Sequence, residues 1–93
     1  MSEYFTFETR ATDDPDQMVI LTNQPLAPDG DETYDSYEAG DEGSPIAQML
    51  FNAVSGIRTL DLSEGTLTIT RDSDVSWEEI VDDVRDALRD FFL

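Results

Sequence analysis

The sequence contains no cysteine, no histidine and no lysine. Without thiols it has no disulfides, no cysteine zinc site, no thiolate chemistry and no cysteine-held iron-sulfur cluster of its own. It has no apolar run near the roughly 18 residues that a membrane-spanning helix needs. Met1-Ser2-Glu3-Tyr4 has neither a basic n-region nor an apolar h-region, so no signal peptide is expected there and the expected location is cytoplasmic. Basic residues are scarce: five arginines (Arg10, Arg58, Arg71, Arg85, Arg89) face 22 aspartates and glutamates, a formal charge of −17. A surface of that sign repels nucleic acid and anionic membranes, and neither is an expected partner.

Three readings account for the acidity. High salt screens self-repulsion, so a salt-adapted cytoplasm explains it most directly. Docking onto a basic protein and buffering of cations are the other two. Stability measured against salt separates the first from the rest.

The 93 residues suffice for one domain and not for two. Apolar residues make up 39% and include five Phe, three Tyr and one Trp, enough for one modest core. Tyr4-Phe5-Thr6-Phe7-Glu8 alternates as a half-buried strand, with Phe5 and Phe7 on one face. Asp13-Asp14-Pro15-Asp16 is a turn, and Met18-Val19-Ile20-Leu21 is a second strand antiparallel to the first. Residues 25–43 read as a long acidic loop in which Tyr34 and Tyr37 mark a short edge strand.

Ser44 and Pro45 open a helix, as N-cap and first helical residue. Ile46, Met49, Leu50 and Ala53 form its apolar stripe, and Gly56 suits the left-handed position that closes it. Residues 58–71 form a hairpin turning at Ser63-Glu64-Gly65, with leucine and isoleucine facing one way and threonine the other. Ser76-Trp77-Glu78-Glu79 is a capping box flanked by the staple pair Val75 and Ile80. It starts a last helix whose apolar face is Trp77, Ile80, Val81, Val84, Ala87, Leu88 and Phe91. Arg85 and Arg89 follow Asp82 and Asp86 at three-residue spacing.

The order β-β-(β)-α-β-β-α predicts an α+β, two-layer fold: a mostly antiparallel sheet with two helices on one face. Carboxylate pairs such as Asp82 and Asp86 read as a solvated face, because no nucleophile or base accompanies them. Asp29-Gly30-Asp31-Glu32 lacks the ligand spacing and closing bidentate glutamate of a calcium loop, so no metal site is assigned. Trp77 and Phe91 read as core. The terminal Phe92-Leu93 is apolar where chains usually fray, and serves either to tuck under the sheet or to dock. Gly43-Ser44-Pro45-Ile46-Ala47 is the most specific local motif: an ordinary helix start, or amides that receive an anion or a partner carboxylate.

Taken together, the chain resembles the N-terminal domain of Nfu/NifU-type iron-sulfur scaffold proteins over nearly its whole length, so that residues 1–93 form a single domain of that type. The resemblance rests on Thr12-Asp13-Asp14-Pro15 before an apolar strand, on Gly43-Ser44-Pro45-Ile46-Ala47 with Leu50-Phe51, on Val54, Gly56-Ile57 and Leu67-Thr68-Ile69-Thr70, and on Trp77 in the final helix. Where the family shows Thr-x-Asn-Pro-Asn, Asp14 and Asp16 stand here. In full-length members a separate Cys-x-x-Cys domain holds the cluster, and this sequence stops before one. The resemblance therefore implies a non-enzymatic adaptor with no cofactor of its own. Its implied partner is a protein of the iron-sulfur assembly machinery or a Cys-x-x-Cys domain protein. The expected contact surface joins Asp14 and Pro15 with Gly43, Ser44 and Pro45, and the expected state is a monomer. An acidic module docking on an unrelated basic protein is the alternative.

Overall fold

Alternating side chains build the centre of the molecule. In the computed structural model, which describes residues 5–92, strands β4 (Ile57–Ser63) and β5 (Thr66–Arg71) form the expected hairpin. Leu60 and Leu62 stand opposite Ile69 and Leu67. All four are fully buried on one face, while Thr66, Thr68 and Thr70 lie half-buried on the other. Strand β2 (Gln17–Thr22) pairs antiparallel with β5 and sets Ile20 beside Leu67. Strand β1 (Phe7–Ala11) pairs with β2, and the short β3 (Glu32–Tyr34) pairs with β4. The result is one antiparallel sheet of five strands in the order β1-β2-β5-β4-β3.

Three helices accompany the sheet: α1 (Tyr37–Asp41), α2 (Pro45–Ala53) and α3 (Trp77–Phe92). The buried side chains of α2 and α3 share one core with Ile20, Leu60, Leu62, Leu67 and Ile69. This is the expected α+β fold, with one helix more than the sequence suggested. None of the helices among the described residues is long and apolar enough to cross a membrane.

Several elements differ in detail. The first strand begins at Phe7 and runs through polar residues to Ala11, whereas alternation placed it over residues 4–8; Tyr4 lies outside the described residues. Pairing with the apolar β2 decides the matter, because the edge position tolerates exposed side chains. Phe5 and Phe7 do stack, with ring centroids 6.2 Å apart. Within the acidic segment, Tyr34 belongs to the edge strand but Tyr37 opens α1, where Ser36 Oγ accepts the Ala39 amide as an N-cap. Leu26 and Ala27 in the same segment are core residues.

The buried stripe of α2 also shifts. It consists of Ile46, Ala47, Leu50 and Phe51, while Ala53 is exposed and Met49 only half-buried. The cause is cover from two sides. Helix α3 packs on one flank, and α1 brings Tyr37 edge-on to Phe51 with centroids 6.0 Å apart. Gly56 adopts the expected left-handed conformation (φ 95°) but sits beyond the cap residue Val54, in the turn into β4.

Helix α3 starts where the sequence places it, and Ser76 Oγ accepts the Glu79 amide at 3.3 Å. Its buried face is Ile80, Val84, Ala87 and Leu88. Phe91 departs from the expected face and is 43% exposed, whereas Phe92 is half-buried against the core. Leu93 lies outside the described residues.

Candidate functional site

The sequence-predicted site residues fall at opposite ends of α3. Asp14 and Pro15 sit in the β1–β2 turn beside its first residue, Trp77, whose Nε1 donates to the Pro15 carbonyl at 2.8 Å. Ser44 and Pro45 sit beside its last residues, Phe91 and Phe92, with which they line one cleft. The 16 residues of α3 span about 24 Å. The structure therefore does not bring the two segments into a single contact patch.

The turn at the first end is closed by its own hydrogen bonds. Asp14 Oδ1 accepts the Asp16 amide at 2.9 Å, and the Asp14 amide donates to Thr12 Oγ1 at 3.1 Å. An acceptor oxygen is all that this turn asks of residue 14, so aspartate serves here as asparagine would. Arg71 locks the turn to the rest of the fold. It pairs with Asp16 at 3.2 Å, donates to the Val75 carbonyl at 3.0 Å, and its guanidinium lies 5.1 Å from the Trp77 ring centroid. At 19% exposure the Arg71 side chain is the most sheltered of the four arginines found in ion pairs among the described residues. This end is a structural clasp.

At the other end the Gly43-Ser44-Pro45 motif is similarly committed. Ser44 Oγ caps α2 by accepting the Ala47 amide at 3.3 Å, and the Ser44 amide donates to the Tyr34 hydroxyl at 3.1 Å. The Tyr34 hydroxyl in turn donates to Glu32 Oε1. Pro45 has no amide to offer. The first turn of α2 therefore spends its Ser44 and Ala47 amides within the fold.

Gly43 is needed because a Cβ there would overlap the Tyr34 ring. Gly43→Ala should displace that ring and cost about 1–3 kcal/mol. In a Tyr34→Ala background the same substitution should cost almost nothing, as urea unfolding of the double-mutant cycle will show. Additive costs would mean that the ring is not the obstacle.

What remains open at this end is a cleft of about 300 Å³. Leu26 and Ile46 are buried in the core behind it. Pro25, Pro28 and Pro45 line it, together with Phe91 and Phe92 of α3, and Asp29 and Glu32 are its acidic members. The sequence places Phe91 on the core face of the last helix and Phe92 at the apolar terminus, with nothing to join them. Pro25-Leu26-Ala27-Pro28 does not stand out as a site in the sequence, although four apolar residues inside an acidic stretch are a usable signal. Among the described residues no group of three or more carboxylates is placed to hold a metal ion. Asp82 is exposed and pairs with Arg85 at 2.9 Å, and Asp86 is exposed on the same helix.

Residues 7–93 match the family described as scaffold protein Nfu/NifU N terminal. The chain belongs to that family. Two solved structures share the fold of this Nfu-type domain. A NifU-like protein from Saccharomyces cerevisiae superposes with a TM-score of 0.77 at 21% identity, over 97% of this chain and 82% of the yeast one. Protein SAV1430 from Staphylococcus aureus superposes with a TM-score of 0.69 at 14% identity, over 87% of this chain and 94% of that one. No curated protein matches the sequence significantly. The Nfu-type domain thus keeps its family's architecture on a surface of −17 charge.

Proposed function

We propose that this Nfu-type domain is a non-catalytic accessory module of iron-sulfur cluster assembly that acts by binding a protein partner. The observation that carries the reading is membership of the scaffold family across residues 7–93 in a chain without a single thiol or imidazole. These 93 residues lack the ligands that hold biological clusters, so the metal must be held outside them. The partner that fits is a Cys-x-x-Cys domain protein or another member of the assembly machinery. In this reading the domain is a cytoplasmic monomer adapted to salt.

The test is calorimetric titration of the purified, tag-free domain with a Cys-x-x-Cys scaffold protein from the same cells, alongside capture from the native lysate. Saturable binding, with iron remaining on the cysteine protein, is the expected result. Stoichiometric iron on this chain, turnover of a substrate by it, or capture of only proteins unrelated to cluster assembly would overturn the reading.

One observation favours a second reading, in which the domain docks on a basic protein outside cluster assembly. Asp29, Asp31, Asp35, Glu38, Asp41 and Glu42 are all exposed along one segment. Binding that weakens steeply with added salt would favour it.

A further inference from the structure

We infer that the cleft between the 25–32 segment, the start of α2 and the end of α3 is a docking site for a polypeptide segment that presents a bulky apolar side chain flanked by arginine or lysine. This inference rests on the reading of the domain as a partner-binding module, and it names the place and the chemistry of the contact.

Three observations carry it. The cleft is roomy, about 300 Å³, and its lining is mainly carbon, the profile of a pocket that takes up an apolar group. Phe91 is 43% exposed beside it and is one of two large apolar side chains so exposed among the described residues. The other, Tyr37, directs its hydroxyl to Asn52 Oδ1 at 2.7 Å, which leaves Phe91 as the aromatic face without a polar use. Aromatic rings in that position are the anchors on which interfaces concentrate their energy.

Charge complementarity selects the occupant. Asp29 and Glu32 line the cleft, Asp31 lies between them in sequence, and Asp90 precedes Phe91; Asp29, Asp31 and Asp90 are exposed. Arg10, Arg58, Arg71 and Arg85 are paired elsewhere, to Glu8, Asp72, Asp16 and Asp82, and Arg89, exposed in the last turn of α3, is not among the residues that line the cleft. An apolar group carried by an acidic segment would meet like charge on entry, whereas one carried between basic residues meets opposite charge. A second copy of this chain, at a net charge of −17, brings like charge in the same way. The lining is also stiff. Pro25, Pro28 and Pro45 have fixed φ, and Glu32 is held by Tyr34, so little freedom is lost when an occupant enters.

The test uses the whole chain, isotope-labelled, at the lowest salt that keeps it fully folded. The probe is a six-residue peptide with Leu-Phe between pairs of arginines, compared with the same peptide carrying glutamates instead. The arginine peptide should shift the amides of Leu26, Asp29, Ile46, Phe91 and Phe92, and the glutamate peptide should not. Phe91→Ala, a change on an exposed ring, should weaken the arginine peptide about tenfold. Asp29→Lys, on an exposed loop, should narrow the gap between the two peptides. Shifts centred elsewhere, an unchanged affinity in Phe91→Ala, or equal binding of both peptides would overturn the inference.

The Cys-x-x-Cys protein then separates this inference from the reading beneath it. If that protein binds wild type and Phe91→Ala equally, the cleft is not its site and the inference falls while the proposed function stands. If it fails to bind and the lysate yields only proteins unrelated to cluster assembly, while the arginine peptide seats in the cleft, the inference stands and the iron-sulfur reading falls.

Discussion

Transfer from molar salt to dilute buffer is expected to destabilise the domain by several kcal/mol, a large part of a typical domain's total. No carboxylate among the described residues is buried, and four of them pair with arginine, one of those at 3.8 Å. Most of the −17 charge is therefore uncompensated on a body whose radius of gyration is 12.3 Å. At about 1 M salt the screening length is roughly 3 Å, and each carboxylate feels only its neighbours; at about 0.01 M it is roughly 30 Å, and each feels all the others. Unfolding relieves that repulsion by spreading the charge over a much larger volume. Urea midpoints across a salt series measure the effect. Replacing Asp29, Asp31, Asp35 and Asp41 by asparagine should raise the midpoint at low salt and leave it nearly unchanged at high salt. A midpoint indifferent to salt would remove the case for salt adaptation.

Leu60→Ala should be the most damaging single truncation, costing about 2–5 kcal/mol and lowering Tm by more than about 10 °C. Leu60 is fully buried in β4, between Ile69 of β5 and Tyr34 of β3 on the face that the helices cover. The neighbours cannot collapse into the space without breaking the register of two strand pairs. Leu60→Met keeps the volume and should cost less than about 1.5 kcal/mol. Leu21→Ala on the opposite, open face should also cost much less, because that side chain is only half-buried. Equal losses at Leu60 and Leu21 would mean that the helical layer does not define the core.

The parts of the fold that were legible in the sequence are those where a local pattern and tertiary packing agree. Alternation in Leu60-Asp61-Leu62 and Leu67-Thr68-Ile69 predicts the hairpin, because each of those residues is buried or not according to strand period alone. Ser44-Pro45 and Ser76 announce their helices because capping is a matter of neighbouring atoms. Where distant contacts decide, local pattern misleads. Phe51 is buried by α1, an element of five residues containing a glycine that no periodicity reveals. Phe7–Ala11 is a strand because β2 pairs with it, not because of its own residues.

The site follows the same rule. Motif matching alone joins Pro15 with Ser44, and only the length of α3 shows them to lie at different ends. Phe91 and Leu26 lie far apart in sequence, and no spacing relates them. Their cleft becomes visible once the sheet has brought the end of α3 back to the start of α2.

The seam between β2 and β5 has a kinetic consequence. The joints on either side of it, β1 with β2 and β4 with β5, are hairpins that each close within a short stretch of chain. Setting Ile20 against Leu67 instead requires everything between them to be gathered in first. Loop closure of that reach is entropically uphill until its contacts form, so this step should govern the refolding rate. Conservative substitutions at Ile20 or Leu67 should then slow refolding.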